Sequence, residues 1–227
     1  ILTLFLVFSN PLAAQDPEPA QAAEPADAPE LNQTPDVVDL TDSAKTPEPV
    51  KAPILLTPKD EALIQSVWEG DLAKVELLVM KGASVNSAEP KKKRTVLMVA
   101  AVNGQFDIVE FLHSEGADIN ARDSDSQTAL MYASRHRFNA TPDNSIAKFL
   151  LSNGAEVNVR SKKKGYTVLM LAASAGNVEL VQQLLENGAD PAIKDNFGVS
   201  AVAMAQERGH SAVVQLLTDP PAPKSEQ

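Results

Sequence analysis

A seven-residue pattern recurs along this chain at a nearly constant interval, and that recurrence limits the fold more than any other feature. Thr95-Val-Leu-Met-Val-Ala-Ala101 lines up with Thr128-Ala-Leu-Met-Tyr-Ala-Ser134, Thr167-Val-Leu-Met-Leu-Ala-Ala173 and Ser200-Ala-Val-Ala-Met-Ala-Gln206, at steps of 33, 39 and 33 residues. A second series is offset from the first: Gly82-Ala83, Gly116-Ala117-Asp118, Gly154-Ala155-Glu156 and Gly188-Ala189-Asp190, at steps of 34, 38 and 34. A chain built this way stacks copies of one small unit, because no single unit can bury its apolar face alone.

Each unit has a physical reading. Thr95, Thr128, Thr167 and Ser200 place a hydroxyl just before an apolar run, as a helix N-cap requires. Small residues follow (Ala100-Ala101, Ala133-Ser134, Ala172-Ala173) and let a short helix lie close to its neighbours. After a turn with Gly104, Gly176 or Gly209, a second helix shows apolar residues at helical spacing, such as Phe106, Val109, Phe111 and Leu112, or Val178, Val181, Leu184 and Leu185. It stops at the Gly of Gly-Ala, the residue type that best adopts a left-handed backbone just past a helix end. An earlier unit opens at Thr57-Pro58-Lys59-Asp60, a cap with Pro at the first helical position and an early acid. The last unit, from about Val199, offers Gln206, Glu207, Arg208, His210, Ser211 and Gln215 as polar surface, as a terminal cap needs. In the third unit about five extra residues separate the helices within 137–145, where Thr141-Pro142-Asp143 offers a cap for the second helix.

These four stations in register resemble the ankyrin repeat family, over about Thr57 to Thr218, or 162 of 227 residues. The resemblance implies an all-α solenoid of four to five helix-turn-helix units with hairpin fingers; the segment before it, by its own composition, is expected to be a disordered arm. It also implies a protein-binding role. The chain departs from the family pattern in one respect. Met98, Met131 and Met170 stand where the family places a histidine that ties adjacent repeats by hydrogen bonds, so apolar packing between repeats is expected at those positions.

Residues 1–53 read differently. Ile1–Phe8 is ILTLFLVF, followed by Pro11 and Leu12-Ala13-Ala14. The run is far short of the about 20 residues a bilayer span needs and matches the apolar core of a signal peptide. With no initiator Met or basic leader before Ile1, the reading for residues 1–14 is a truncated signal peptide cleaved after Ala14. Residues 15–53 hold eight prolines, nine acidic residues and two basic ones, a balance of −7. Proline and like charge keep such a segment extended, so it is expected to be a disordered linker. Its one apolar cluster is Val37, Val38 and Leu40. Residues 219–227 are expected to be a disordered tail.

Composition narrows the function. The chain has no cysteine and three histidines, and its net charge is −10. That excludes a disulfide framework and a cysteine nucleophile, and argues against a general nucleic-acid surface. The remainder from Ile54 carries only −3, so the repeats need not repel an acidic partner. Among the histidines, His113, His136 and His210 have no nearby nucleophile or paired acid. Asp123 and Asp125 resemble the opening of a calcium loop, but its Gly and distal Glu are absent. No enzyme activity, cofactor or metal is expected.

In the ankyrin family, partners meet the fingers and the exposed end of the first helices. Carried over by position, those slots are Trp68 and Glu69, Val102 and Asn103, Arg135 and His136, and Ser174. On the fingers the candidates are Lys92 and Arg94, Asp125 and Gln127, Lys163, Lys164 and Tyr166, and Phe197. Trp68, the only tryptophan, reads either as a groove anchor or as a lid on the open end of the stack. Two basic fingers flank an acidic one, which suits a partner of patterned charge; solvated tips are the alternative. The linker's own acids could also visit the basic tips.

The expectation is an exported bacterial member of the family, periplasmic or secreted and monomeric. It has no stable membrane span after cleavage, and it binds a protein partner whose identity the sequence does not reveal. A scaffold or adaptor leads; an inhibitor or immunity protein of an enzyme, and a secreted effector acting on a host protein, are the alternatives.

Overall fold

The computed structural model describes residues 56–135 and 143–219. The segments read as signal peptide and linker, with Val37, Val38 and Leu40, lie outside them, as do His136, Thr141, Pro142 and residues 220–227. Among the described residues ten helices follow one another as five antiparallel pairs: α1 (Pro58–Glu69) and α2 (Leu72–Met80), α3 (Val96–Asn103) and α4 (Phe106–Ser114), α5 (Ala129–Ala133) and α6 (Ser145–Ser152), α7 (Val168–Ala175) and α8 (Val178–Glu186), α9 (Ala201–Glu207) and α10 (Ser211–Thr218). The odd-numbered helices pack on one another in an inner row and the even-numbered ones in an outer row. Segments 81–95, 115–128, 153–167 and 187–200 join successive pairs as four fingers. The described residues form no strand, only two isolated antiparallel bridges, Ala88 with Thr95 and Lys194 with Ser200.

The helices begin where hydroxyls were expected to cap them. Thr95, Thr128, Thr167 and Ser200 accept the backbone N–H of Met98, Met131, Met170 and Ala203. Thr57 and Asp60 form a reciprocal capping box at α1. In α6, Asn144 occupies the cap without a side-chain bond to the helix's own amides, and Asp143 Oδ1 accepts the Ser145 amide at 2.9 Å. The inner helices are apolar on nearly every side: Val96 through Ala101 are all buried, as are Ala129 through Tyr132. Met98, Met131 and Met170 are fully enclosed in this core, so thioethers fill the joints by dispersion. Each fully buried Leu, such as Leu97, Leu130 and Leu169, contributes about 2 kcal/mol in water-transfer terms.

Two polar ladders knit the repeats. At the finger bases, Asn86 Oδ1 accepts the Asp118 amide, Asn120 bonds Gly154 O and the Glu156 amide, and Asn158 bonds Gly188 O and the Asp190 amide. Ala192 occupies the next place in this series; Asp190 Oδ1 accepts its amide just as Asp118 Oδ1 accepts that of Asn120. The second ladder uses the residues that start the outer helices. Gln105 lies over Gly70, Asn177 exchanges amide bonds with Asn144, and His210 lies over Gly176 with Nε2 3.2 Å from Ser174 O. His210 is therefore a joint rather than part of the polar end surface.

Candidate protein-binding groove

The fingers are held tip to tip by backbone. Ser124 N donates to Lys92 O at 2.9 Å, Lys162 N to Asp125 O at 2.7 Å and Asn196 N to Lys164 O at 2.9 Å. Each tip turns through one left-handed residue: Lys93 (φ 53), Ser126 (φ 58), Gly165 (φ 73) and Gly198 (φ 81). A Cβ at Gly165 would meet Asn196 Oδ1 at 2.5 Å, so the close approach of the fourth finger requires glycine there.

The alternation of charge along the fingers is also an alternation of turn construction. In the second and fourth fingers a buried aspartate organises the tip. Asp123 Oδ1 accepts the amides of Asp125 and Gln127, each at 2.8 Å. Asp195 Oδ1 accepts those of Phe197 and Val199. The first and third fingers lack that aspartate and carry exposed lysines instead. Asp123 is thus spent on its own loop, and Asp125 pairs with Lys163 Nζ at 3.0 Å. The second finger presents far less negative charge to a partner than its sequence suggests.

Three cation–aromatic pairs lie along the line where fingers meet inner helices. The Arg94 guanidinium sits 5.3 Å from the Trp68 ring, that of Arg135 sits 5.3 Å from Tyr132, and Lys164 Nζ sits 5.4 Å from Tyr166. Trp68 is further fixed by Nε1 donating to Glu89 Oε1 at 3.2 Å, and Glu89 takes a fork of two bonds from Arg94 at 2.6 and 2.8 Å. Tyr132 is buried and donates its hydroxyl to Asp123 Oδ2 at 2.8 Å. Burial and then that carboxylate push its phenol above the ordinary range.

Between the second and third fingers lies a recess of about 230 Å³, lined by Asp125, Gln127, Arg135, Ser161, Lys163, Lys164, Tyr166 and Leu171. Six of the residues expected at a binding surface meet there: Asp125, Gln127, Arg135, Lys163, Lys164 and Tyr166. An Arg135 terminal nitrogen donates to Gln127 Oε1. Trp68 and Arg94 form a separate cluster at the first finger, with Trp68 38 % exposed. Glu69 turns to Gln65 and Lys74 within its own helix pair, and those partners, Gln65 foremost, hold its carboxyl below the usual range. Val102, Asn103 and Ser174 are half-buried in the last turns of α3 and α7. Lys92 is exposed, and Phe197, 75 % exposed, stands alone at the fourth tip.

Sequence reasoning missed Glu89 and Tyr132. Glu89 carries no signal until the hairpin pairs it with Arg94 across the turn. Tyr132 does carry one: it replaces Val99 and Leu171 of the neighbouring repeats and stands three residues before Arg135, one helical turn away. Among the described residues no cluster of His, Asp or Glu could hold a metal ion, and no helix is long and apolar enough to cross a membrane.

Stacked helix pairs with a lined groove define a repeat module for protein–protein interaction. The model of the ankyrin repeat family, in three copies, matches residues 63–161 and 138–226. The chain belongs to the ankyrin repeat family. It is 32% identical over 162 residues to the ankyrin repeat and KH domain-containing protein mask-1 of Caenorhabditis elegans, covering 71% of this chain and 6% of that protein. It is 30% identical over 148 residues to an ankyrin repeat-containing protein of Treponema pallidum, covering 65% and 47%. Against the ankyrin repeat protein YahD of Escherichia coli it is 28% identical over 187 residues, covering 66% and 90%. The chain thus spans less than half the length of the first two of these relatives.

Proposed function

We propose that this chain works outside the cytoplasm, as a monomeric adaptor that grips one protein partner between its fingers and inner helices. The observation that carries the reading is the row of cation–aromatic pairs Arg94–Trp68, Arg135–Tyr132 and Lys164–Tyr166. Aromatic and arginine side chains dominate binding energy at protein interfaces when they are held rigid, and each of these is held by a partner within the repeat stack. The apolar run Ile1–Phe8, its small-residue sequel at Ala13-Ala14 and the absence of cysteine support export.

The test is affinity capture from an envelope extract of the source cell with the chain from Gln15 onward. A parallel capture uses a chain carrying Trp68→Ala with Lys92, Lys163 and Lys164 changed to Glu. One protein held by the parent and released by the variant is the expected result. Equal capture by both removes the groove assignment, and a purified partner bound in a two-to-two complex removes the monomer.

A further inference from the structure

The recess between the second and third fingers holds more cationic donors than its own groups consume. Three cations line it, Arg135, Lys163 and Lys164, against one carboxylate, Asp125. Lys163 is committed to Asp125 at 3.0 Å. Arg135 spends one terminal nitrogen on Gln127 and stacks on Tyr132; among the described residues its remaining guanidinium N–H groups have no acceptor. Lys164 lies over the Tyr166 ring and bonds to no described acceptor. Leu171 and the Tyr166 ring supply apolar wall. A guanidinium already oriented by Gln127 and Tyr132 gives up little freedom on meeting an anion.

We infer that this recess is a carboxylate-receiving subsite, and that its ligand is an acidic side chain on an extended segment of the partner protein. The inference rests on the groove being the partner-binding face. Arg135 provides the forked contact, Lys164 flanks it, and Tyr166 with Leu171 packs the methylenes of a glutamate. A glutamate suits the recess better than a bare phosphate, because Leu171 and the Tyr166 ring offer apolar wall that only the methylenes of a side chain would cover. The Lys163–Asp125 pair already shows a rim lysine holding a carboxylate at hydrogen-bond distance.

The test uses the full chain and a short fluorescein-labelled glutamate-rich peptide, with a glutamine-for-glutamate peptide as control, read by fluorescence anisotropy. The glutamate peptide should bind and the glutamine peptide should not. Arg135→Gln and Lys164→Gln should each weaken binding by roughly tenfold, the loss expected for a charge-assisted contact. Lys194→Gln, on an exposed finger position outside the recess, should leave binding unchanged. Lys164→Gln breaks no hydrogen bond of the fold, so it keeps the test valid if Arg135→Gln unfolds. Equal weakening by all three variants, or equal binding of both peptides, overturns the subsite. Binding that emerges only after the acids of residues 15–53 are changed to amides assigns the recess to the chain's own acidic segment and overturns the partner assignment. A captured partner lost on Trp68→Ala but retained by Arg135→Gln and Lys164→Gln leaves the groove in place and overturns this subsite alone.

Discussion

Asn120 and Gly154 lie in successive repeats and share a hydrogen bond of 3.1 Å from Nδ2 to the glycine carbonyl, while Oδ1 of the same amide accepts the backbone of Glu156 at 2.9 Å. Both ends of one side chain are used on the neighbouring unit. Asn158 does the same one repeat on, with Gly188 and Asp190, whereas Asn86 makes only the accepting bond, to Asp118. Asn120→Ala and Asn158→Ala should therefore each cost about 1 kcal/mol, the net worth of hydrogen bonds whose partners water can reach. Asn86→Ala should cost less. Urea unfolding of the three variants checks the ranking, and equal losses would contradict it.

The glycines that end the inner helices separate backbone strain from contact. Gly104 and Gly176 have nearly the same φ, 72° and 71°, but a Cβ meets nothing within 4 Å at Gly104 and meets the His210 ring at 2.6 Å at Gly176. Gly104→Ala should lower stability by about 1 kcal/mol, the left-handed penalty alone. Gly176→Ala should cost clearly more and should be eased in the double variant with His210→Ala. Thermal melts of the three chains decide it.

Asp60 makes stability fall in acid. Burial raises its pKa, but hydrogen bonds from the Ser84 amide, Thr57 and Ser87 outweigh it and hold the group near 2 against an ordinary 3.8. A carboxyl depressed in the folded chain stabilises it fully above its unfolded pKa and loses that contribution as pH falls through the folded value. The window is therefore pH 4 down to 2, and the size about 2 kcal/mol. Asp60→Asn should be less stable at neutral pH and should show a flatter pH profile across that window.

Tyr132 sets the alkaline side. Its phenol is raised by burial and by Asp123, so it favours the folded chain below its unfolded pKa, near 10, and this preference drains away as pH rises from there toward the folded value. Tyr132→Phe should weaken the fold at neutral pH by about 1 kcal/mol, since Asp123 retains two backbone donors. It should also reduce the fall in stability above pH 10, measured by denaturation at stepped pH.

Much of the fold was legible because its signals are local and repeated. A hydroxyl before Val-Leu-Met marks a helix start wherever it occurs, and Gly-Ala marks a stop; four copies in phase leave no competing period. The groove was legible only as positions. Arg94 reads as the end of a basic run, and only the hairpin reveals that Glu89 claims it and that it covers Trp68. Asp123 reads as surface acid, yet it closes its own turn. What escaped was which polar groups are consumed inside the stack, because that depends on how each hairpin folds back on itself, as for Arg94 and Asp123, and on contacts such as Asn120 with Gly154 between residues about 30 or more positions apart in sequence. The asparagine ladder had a local trace, four residues after the first three Gly of the Gly-Ala series, at Asn86, Asn120 and Asn158.

The lone tryptophan offers a direct optical check of its cluster. Arg94→Ala removes both the cation over the ring and the restraint on Glu89. Trp68 emission should shift to the red and its quenching by acrylamide should rise. An unchanged spectrum would mean that the stacking does not persist in solution.

Ala192 gives the stack a sense of direction. At every internal joint an asparagine reaches forward to the next finger, but the fourth finger extends a methyl group from the same place. A second copy approaching end-on would find shape without a handhold, and the open-ended growth that makes filaments out of repeat units loses a polar tie at its first step.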